Sequence, residues 1–170
     1  MLRRLLHPLY RRLETDVHPL RYVFLEVTQR CNLACRHCGS DCSSEARFGE
    51  LSMDDWLGVA DQLARDFEPR SLAVVLTGGE PLCCPELDRL LERLQANRLA
   101  WGVVTNGWLL TEANVERLSK RGIASATVSL DGLREDHDWL RGRASSFDRA
   151  VAGIARLVRA QLPFFDVVTC

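Results

Sequence analysis

Three cysteines, Cys31, Cys35 and Cys38, stand in one short stretch, spaced x3 and then x2. Thiolates this close on a single loop can converge on one soft metal centre, and cysteine sulfur is a common ligand of zinc and of iron–sulfur clusters. The count carries information. A cubane cluster holds four irons, so three thiolates leave one iron open to a substrate or cofactor. His37, beside Cys38, is a second type of metal-ligating side chain. Cys42 lies a little further on, and as a fourth ligand it would close the site. Buried or spare thiols are the default for Cys42, Cys83, Cys84 and Cys170.

These residues need elements to position them. Tyr22–Val27 is an apolar run that reads as a strand leading into the cysteine loop. Ser52 with Asp55 reads as a helix start with a capping box, and Trp56, Ala60, Leu63, Ala64 and Phe67 mark the buried side of that helix. Further strands are expected near 72–76, 101–105, 124–130 and 164–170, the first of them apolar throughout, as in a strand covered on both faces. Between them, Leu87, Leu90, Leu91 and Leu94 mark one helix, and Thr111 caps another that contains Val115 and Leu118 and stops at Gly122. Ser145 or Ser146 begins a helix whose apolar side is Ala150, Val151, Ile154, Leu157 and Val158. Strands alternating with helices imply a parallel sheet with right-handed crossovers. Periodicity alone does not separate a doubly wound sheet from a barrel. In either, ligands bind at the carboxyl ends of the strands. Four unusual segments fall at or just beyond that edge: Thr77-Gly78-Gly79-Glu80-Pro81, Val104-Thr105-Asn106-Gly107, Val128-Ser129-Leu130-Asp131-Gly132, and His137-Asp138-Trp139-Leu140-Arg141-Gly142. Taken singly they are ordinary, since Gly-Gly-Glu-Pro and Asn-Gly are turn signals and Asp131 suits a loop cap.

Taken together, the Cys31-x3-Cys35-x2-Cys38 pattern with His37 before the last cysteine, and these segments in this order, resemble the radical S-adenosylmethionine (radical SAM) enzymes over residues 21–170. The resemblance implies an α/β fold, a partial (β/α)6 radical SAM barrel truncated after about five strands. It implies that Cys31, Cys35 and Cys38 hold a 4Fe–4S cluster and that SAM chelates the remaining iron. One electron from the cluster then cleaves SAM to methionine and a 5′-deoxyadenosyl radical, which abstracts hydrogen from a substrate. That chemistry belongs to the cofactors, with the protein binding and orienting them. The residues implied around SAM are His37 against the adenine, Gly78, Gly79 and Glu80 at the ammonium group, Thr105, Ser129, and Arg141 at the carboxylate, with Arg143 the second choice. His137 reads as a structural loop residue. The His-Asp-x-x-Arg-Gly and Ser-Leu-Asp-Gly segments look most like the members that modify peptides or mature cofactors. Such enzymes imply a reducing electron donor of flavodoxin or ferredoxin type and a peptide or small-molecule substrate.

Composition is compatible. The chain has 170 residues, 46% hydrophobic and 26% charged, with net charge −1. That length suits one core, here residues 21–170 behind an extension at 1–20, and the charge gives no argument for nucleic acid. No apolar run approaches the ~20 residues needed to span a bilayer. Seven cysteines with no secretory signal pattern suggest reduced thiols and a cytoplasmic location. In the extension, Leu2, Leu5, Leu6, Leu9 and Leu13 recur at helical spacing among Arg3, Arg4, Arg11 and Arg12, and Pro8 is expected to kink or divide the helix. A helix packed on the domain is expected there rather than a membrane-surface segment.

Two alternatives to an active enzyme stand beside the resemblance. One is a non-catalytic module in which Cys42 joins the other three thiols around zinc or a saturated cluster. The other is a truncated, inactive relative. Related cores have six strand–helix repeats and often a C-terminal domain with further cysteines. The chain is therefore expected to be incomplete as a catalyst, to associate through its last strand, and to give at best uncoupled SAM cleavage.

Overall fold

The run Leu72–Leu76 is apolar at every position, yet the two faces of its strand differ. Val74 and Leu76 are completely buried, while Ala73 and Val75 are only half-buried. The first strand alternates in the same way, with Leu25 and Val27 buried and Phe24 and Glu26 exposed. One face of the sheet lies under helices and the other is open. An apolar run without alternation hides this, because a short apolar strand looks the same whether one face or both are covered.

The structure, a computed structural model, describes residues 2–16 and 19–169. Its elements run α1 (Leu2–Asp16), β1 (Tyr22–Thr28), α2 (Met53–Asp66), β2 (Ala73–Gly78), α3 (Leu87–Ala96), β3 (Ala100–Thr105), α4 (Glu112–Lys120), β4 (Ser125–Ser129), α5 (Arg134–Arg141), α6 (Ser146–Arg159) and β5 (Phe164–Val168). The strands pair in parallel in the order β1-β2-β3-β4-β5. One register level runs Phe24–Val75–Gly102–Ser125–Phe164 across all of them. A doubly wound sheet reverses its strand order and takes helices on both faces. Sequential order with one face covered is instead a (β/α) barrel opened out over five strands.

The covered face forms a single core, in which Leu63, Leu90, Leu94, Val115, Leu118 and Leu157 from the helices meet Leu25, Leu76, Val103 and Val128 from the strands. Ser52 accepts the Asp55 N–H and the Asp55 carboxylate accepts the Ser52 N–H, closing the expected capping box of α2. Thr111 caps α4, and Gly122 follows it at φ +76°. Phe67, expected on the buried side of α2, is its C-cap and is exposed, and Val151 and Val158 of α6 are also exposed. They lie at the margin of a narrower apolar stripe than the sequence suggested. The helix α5 was not foreseen. Its buried positions are His137 and Arg141, so no apolar periodicity announces it.

The extension departs further from expectation. The helix α1 runs unbroken through Pro8, and Leu6, Leu9, Tyr10 and Leu13 are each more than half exposed rather than packed on the domain. Among the described residues no helix is long and apolar enough to cross a membrane. Cys170 lies outside the described residues.

Candidate active site

The cysteine loop leaves β1 and lies over the carboxyl ends of the strands, where the backbone of β2 makes room for it. Gly79 N–H donates to the Thr28 carbonyl and Glu80 N–H to the Arg30 carbonyl. A Cβ on Gly78 would collide with the Thr28 oxygen, and one on Gly79 with the Arg30 oxygen; Gly78 also holds φ +117°. Glycines at these two positions would let backbone approach a ligand. They are needed first so that the β2 turn can approach the root of the cysteine loop.

A cavity of about 230 Å³ opens between loop and sheet. It is lined by Cys31, Cys35, His37, Cys38 and Cys42 from the loop, and by Gly78, Gly79, Thr105, Asn106, Ser129 and Arg141 from the strand ends and α5. Every site residue named from the sequence lines it except Glu80 and the second-choice Arg143, which lies in a separate concavity on the outer side of the loop. That carboxylate is fully buried behind the wall, where it accepts the Asn106 N–H (2.9 Å), the Leu82 N–H (3.3 Å) and the Thr105 hydroxyl (2.9 and 3.0 Å). Burial pushes Glu80 up to about 7 against the lowering effect of these donors. Its position is that of a brace between the β2 and β3 turns, and direct contact with a ligand in the cavity does not follow from it.

Asn106 is the residue the sequence undervalued, because Asn-Gly reads as a plain turn. Its Nδ2 donates to Asn32 Oδ1 (2.8 Å) and lies 3.8 Å from Cys31 Sγ. The brace thus continues from Glu80 through Asn106 to a candidate ligand.

On the far side, Arg141 pairs with Asp131 (2.6 Å) and donates to Cys35 Sγ (3.7 Å). His137, four residues earlier on α5, accepts the Asp131 N–H on Nδ1 (3.0 Å) and packs edge-on to Phe147. Burial lowers the His137 pKa, which suits a neutral ring accepting on Nδ1. Its role is structural, as expected, but on a helix rather than a loop. His37 Nε2 lies 3.8 Å from Asp131 at the rim of the cavity. Asp138 accepts from the Ser145 and Phe147 N–H groups and the Ser146 hydroxyl, and so caps α6 in place of Ser145, whose own side chain makes no cap bond.

The arrangement fits an iron–sulfur cluster on two observations. Burial pushes the Cys31 thiol up, so a thiolate there needs positive charge beside it, which iron supplies. Arg141 lines the cavity beside the thiols, and its buried Nε has no hydrogen-bond partner within the protein. Among the described residues no three His, Cys, Asp or Glu side chains are arranged to hold a single ion. Cys83 and Cys84, both pushed up to about 11 by burial, lie outside this lining; Cys84 packs against the core and donates to the Val27 carbonyl.

The model of the radical SAM superfamily matches residues 25–170, and the chain belongs to that superfamily. It is 37% identical over 145 residues to the AdoMet-dependent heme synthase of Methanosarcina barkeri, a match covering 85% of this chain and 41% of that protein. It is 32% identical over 146 residues to the sporulation killing factor maturation protein SkfB of Bacillus subtilis, covering 85% and 34% respectively. Among solved structures, native anSMEcpe with bound AdoMet and Cp18Cys peptide superposes with a TM-score of 0.70 at 19% identity, over 87% of this chain and 42% of that one. The chain thus spans about two fifths of the length of the first curated relatives it matches.

Proposed function

We propose that this chain is the cofactor-binding core of a radical SAM enzyme that modifies a peptide or a cofactor precursor. The observation that carries it is the single cavity that Cys31, Cys35 and Cys38 share with Arg141. When bound, the cluster and SAM supply the chemistry: reductive, one-electron cleavage of SAM and hydrogen abstraction from a substrate. The protein's own part is placement. Cys31, Cys35 and Cys38 hold the cluster. Gly78, Gly79, Thr105, Ser129 and Arg141 face the space beside it, and His37 stands at the rim. Arg141 offers a fork suited to a carboxylate, oriented by Asp131. Glu80 acts one step back, holding Thr105 and Asn106 in position. A heme synthase and a peptide-maturing protein among the relatives support a substrate of one of these two classes. The electron would come from a flavodoxin- or ferredoxin-type carrier in the cytoplasm.

A second reading has an observation of its own, since Cys42 lines the same cavity as the other three thiols. In that reading the site is closed, and the domain is a metal-binding module without turnover. Iron and sulfide analysis after anaerobic reconstitution separates the two. Alanine at Cys31, Cys35 or Cys38 is expected to abolish cluster content and Cys42→Ala to preserve it, with SAM altering the electron-paramagnetic-resonance spectrum of the reduced protein. Full cluster loss in Cys42→Ala, together with a spectrum indifferent to SAM, would establish the closed site.

A further inference from the structure

The outer side of the cysteine loop carries a second concavity that the proposed chemistry does not use. This groove, of about 460 Å³, is lined by Ala34, Ser43, Ser44, Gly142 and Arg143 together with Cys31 and Leu33. Cys31 and Leu33 also line the inner cavity, so one candidate cluster ligand is approached from both sides of the loop.

Around this groove the chain leaves positive charge uncompensated. The Arg36 guanidinium lies 4.8 Å from the ring centre of the exposed Trp139, and those of Arg143 and Arg149 lie 3.8 and 5.1 Å from that of Trp108. Several arginines elsewhere are paired with acids: Arg89 with Asp54 and Glu86, Arg121 with Glu92, and Arg156 and Arg159 with Glu112. Among the described residues no carboxylate comes within 4.0 Å of Arg36, Arg143 or Arg149. Of the neighbouring acids, Asp138 is engaged by the cap of α6 and Asp148 by Arg134, while Glu45, Glu135 and Asp136 pair with none of these three arginines. Stacking on an aromatic ring holds a guanidinium without neutralising it. On a chain of net charge −1, this is a local concentration of available positive charge.

We propose that the groove and its arginine–tryptophan rim are the docking face for a small acidic one-electron carrier protein, an assignment resting on the radical SAM reading above. Charge complementarity selects an acidic partner and steers its approach. Tryptophan and arginine are the side chains that most often anchor an interface. A carrier seated here reaches Cys31 from outside, leaving the inner cavity free for SAM. One electron leaves the carrier, which is oxidised by one unit, and enters the cluster, which is reduced by one unit; no bond is made or broken.

The test measures flavodoxin affinity for the reconstituted protein, and the ratio of 5′-deoxyadenosine formed with reduced flavodoxin to that formed with dithionite. Arg149→Glu is the main variant, because its contact is the Trp108 ring rather than the cysteine loop; Arg36→Gln is the second. The expected result is a fall of about tenfold in both affinity and ratio for Arg149→Glu, and affinity that weakens as salt is added. Because the ratio is normalised to dithionite, a general loss of activity leaves it unmoved. Unchanged affinity and ratio in both variants overturn the proposal, as does an effect confined to binding of an oligonucleotide. No 5′-deoxyadenosine with dithionite from fully loaded wild-type protein would count instead against the radical SAM reading, and the flavodoxin affinities alone would then decide the docking face.

Discussion

At the scale of single residues, Glu80 shows how a motif residue can matter without touching a ligand. Its pKa is raised by burial from an ordinary 4.5 to about 7. A folded-state value above the unfolded one makes the contribution to stability full below about pH 4.5 and lost as pH rises through about 7. Glu80→Gln cannot ionise, so the stability advantage of wild type over this variant is expected to shrink between about pH 5 and about pH 8. Denaturant midpoints measured across that range check it, and a gap that widened with pH would refute the assignment. The cysteine spacing and the glycine–glycine–glutamate turn were legible in the sequence because their residue types are rare in combination. The division of labour between them was not, since whether a carboxylate faces a cavity or stands behind its wall depends on packing between β2 and β3. Asn106 was hidden for the opposite reason: its dipeptide is too common to signal anything.

At the scale of elements, the cysteine loop is held by the end of α5. Arg36 N–H donates to the Leu140 carbonyl (2.8 Å), Arg36 Nε to the Trp139 carbonyl (3.0 Å), and Arg143 to the Asn32 carbonyl (2.7 Å). Between these contacts Gly142 closes the helix at φ +67°, and a Cβ there would stand 2.5 Å from the Ala34 oxygen. Gly142→Ala should therefore cost about 1–3 kcal/mol of stability through backbone strain, and should reduce iron uptake because the same backbone seats the loop. A thermal melt and an iron assay on one preparation test both parts; wild-type values in each would show that the junction is slack. Ser52→Ala is the contrasting case, a lost cap worth about 1 kcal/mol, with iron content expected to stay at the wild-type level. The cap of α2 was readable because its two side chains are three residues apart. The helix α5 was not, because its buried positions carry a histidine and an arginine. These are buried by tertiary contacts with Asp131, Cys35 and Phe147, which no local pattern reports.

At the scale of the whole molecule, the five-stranded sheet has two edges and one uncovered face. Tyr22, Phe24 and Phe164 on the edge strands are each about three-fifths exposed, and among the described residues β5 pairs only with β4. An exposed apolar edge strand is a template for pairing with another chain, so the 170-residue chain is expected to self-associate in a concentration-dependent way. Phe164→Lys should move its elution on size-exclusion chromatography toward the monomer; identical profiles would place any association elsewhere. The parallel sheet followed from the alternation of strand and helix segments and its sequential order from the resemblance, whereas the open face followed from neither, since an apolar run is silent about what covers it. The Glu80 brace has a last consequence, in the rhythm with which the site breathes. The amides of Leu82 and Asn106 bond to the same carboxylate, and that of Gly107 to the Thr105 hydroxyl it holds. Groups tied to one buried anchor open together or not at all. In hydrogen–deuterium exchange these three amides should share a single opening free energy, and Glu80→Ala should set all three free together while core amides such as that of Val103 keep their protection.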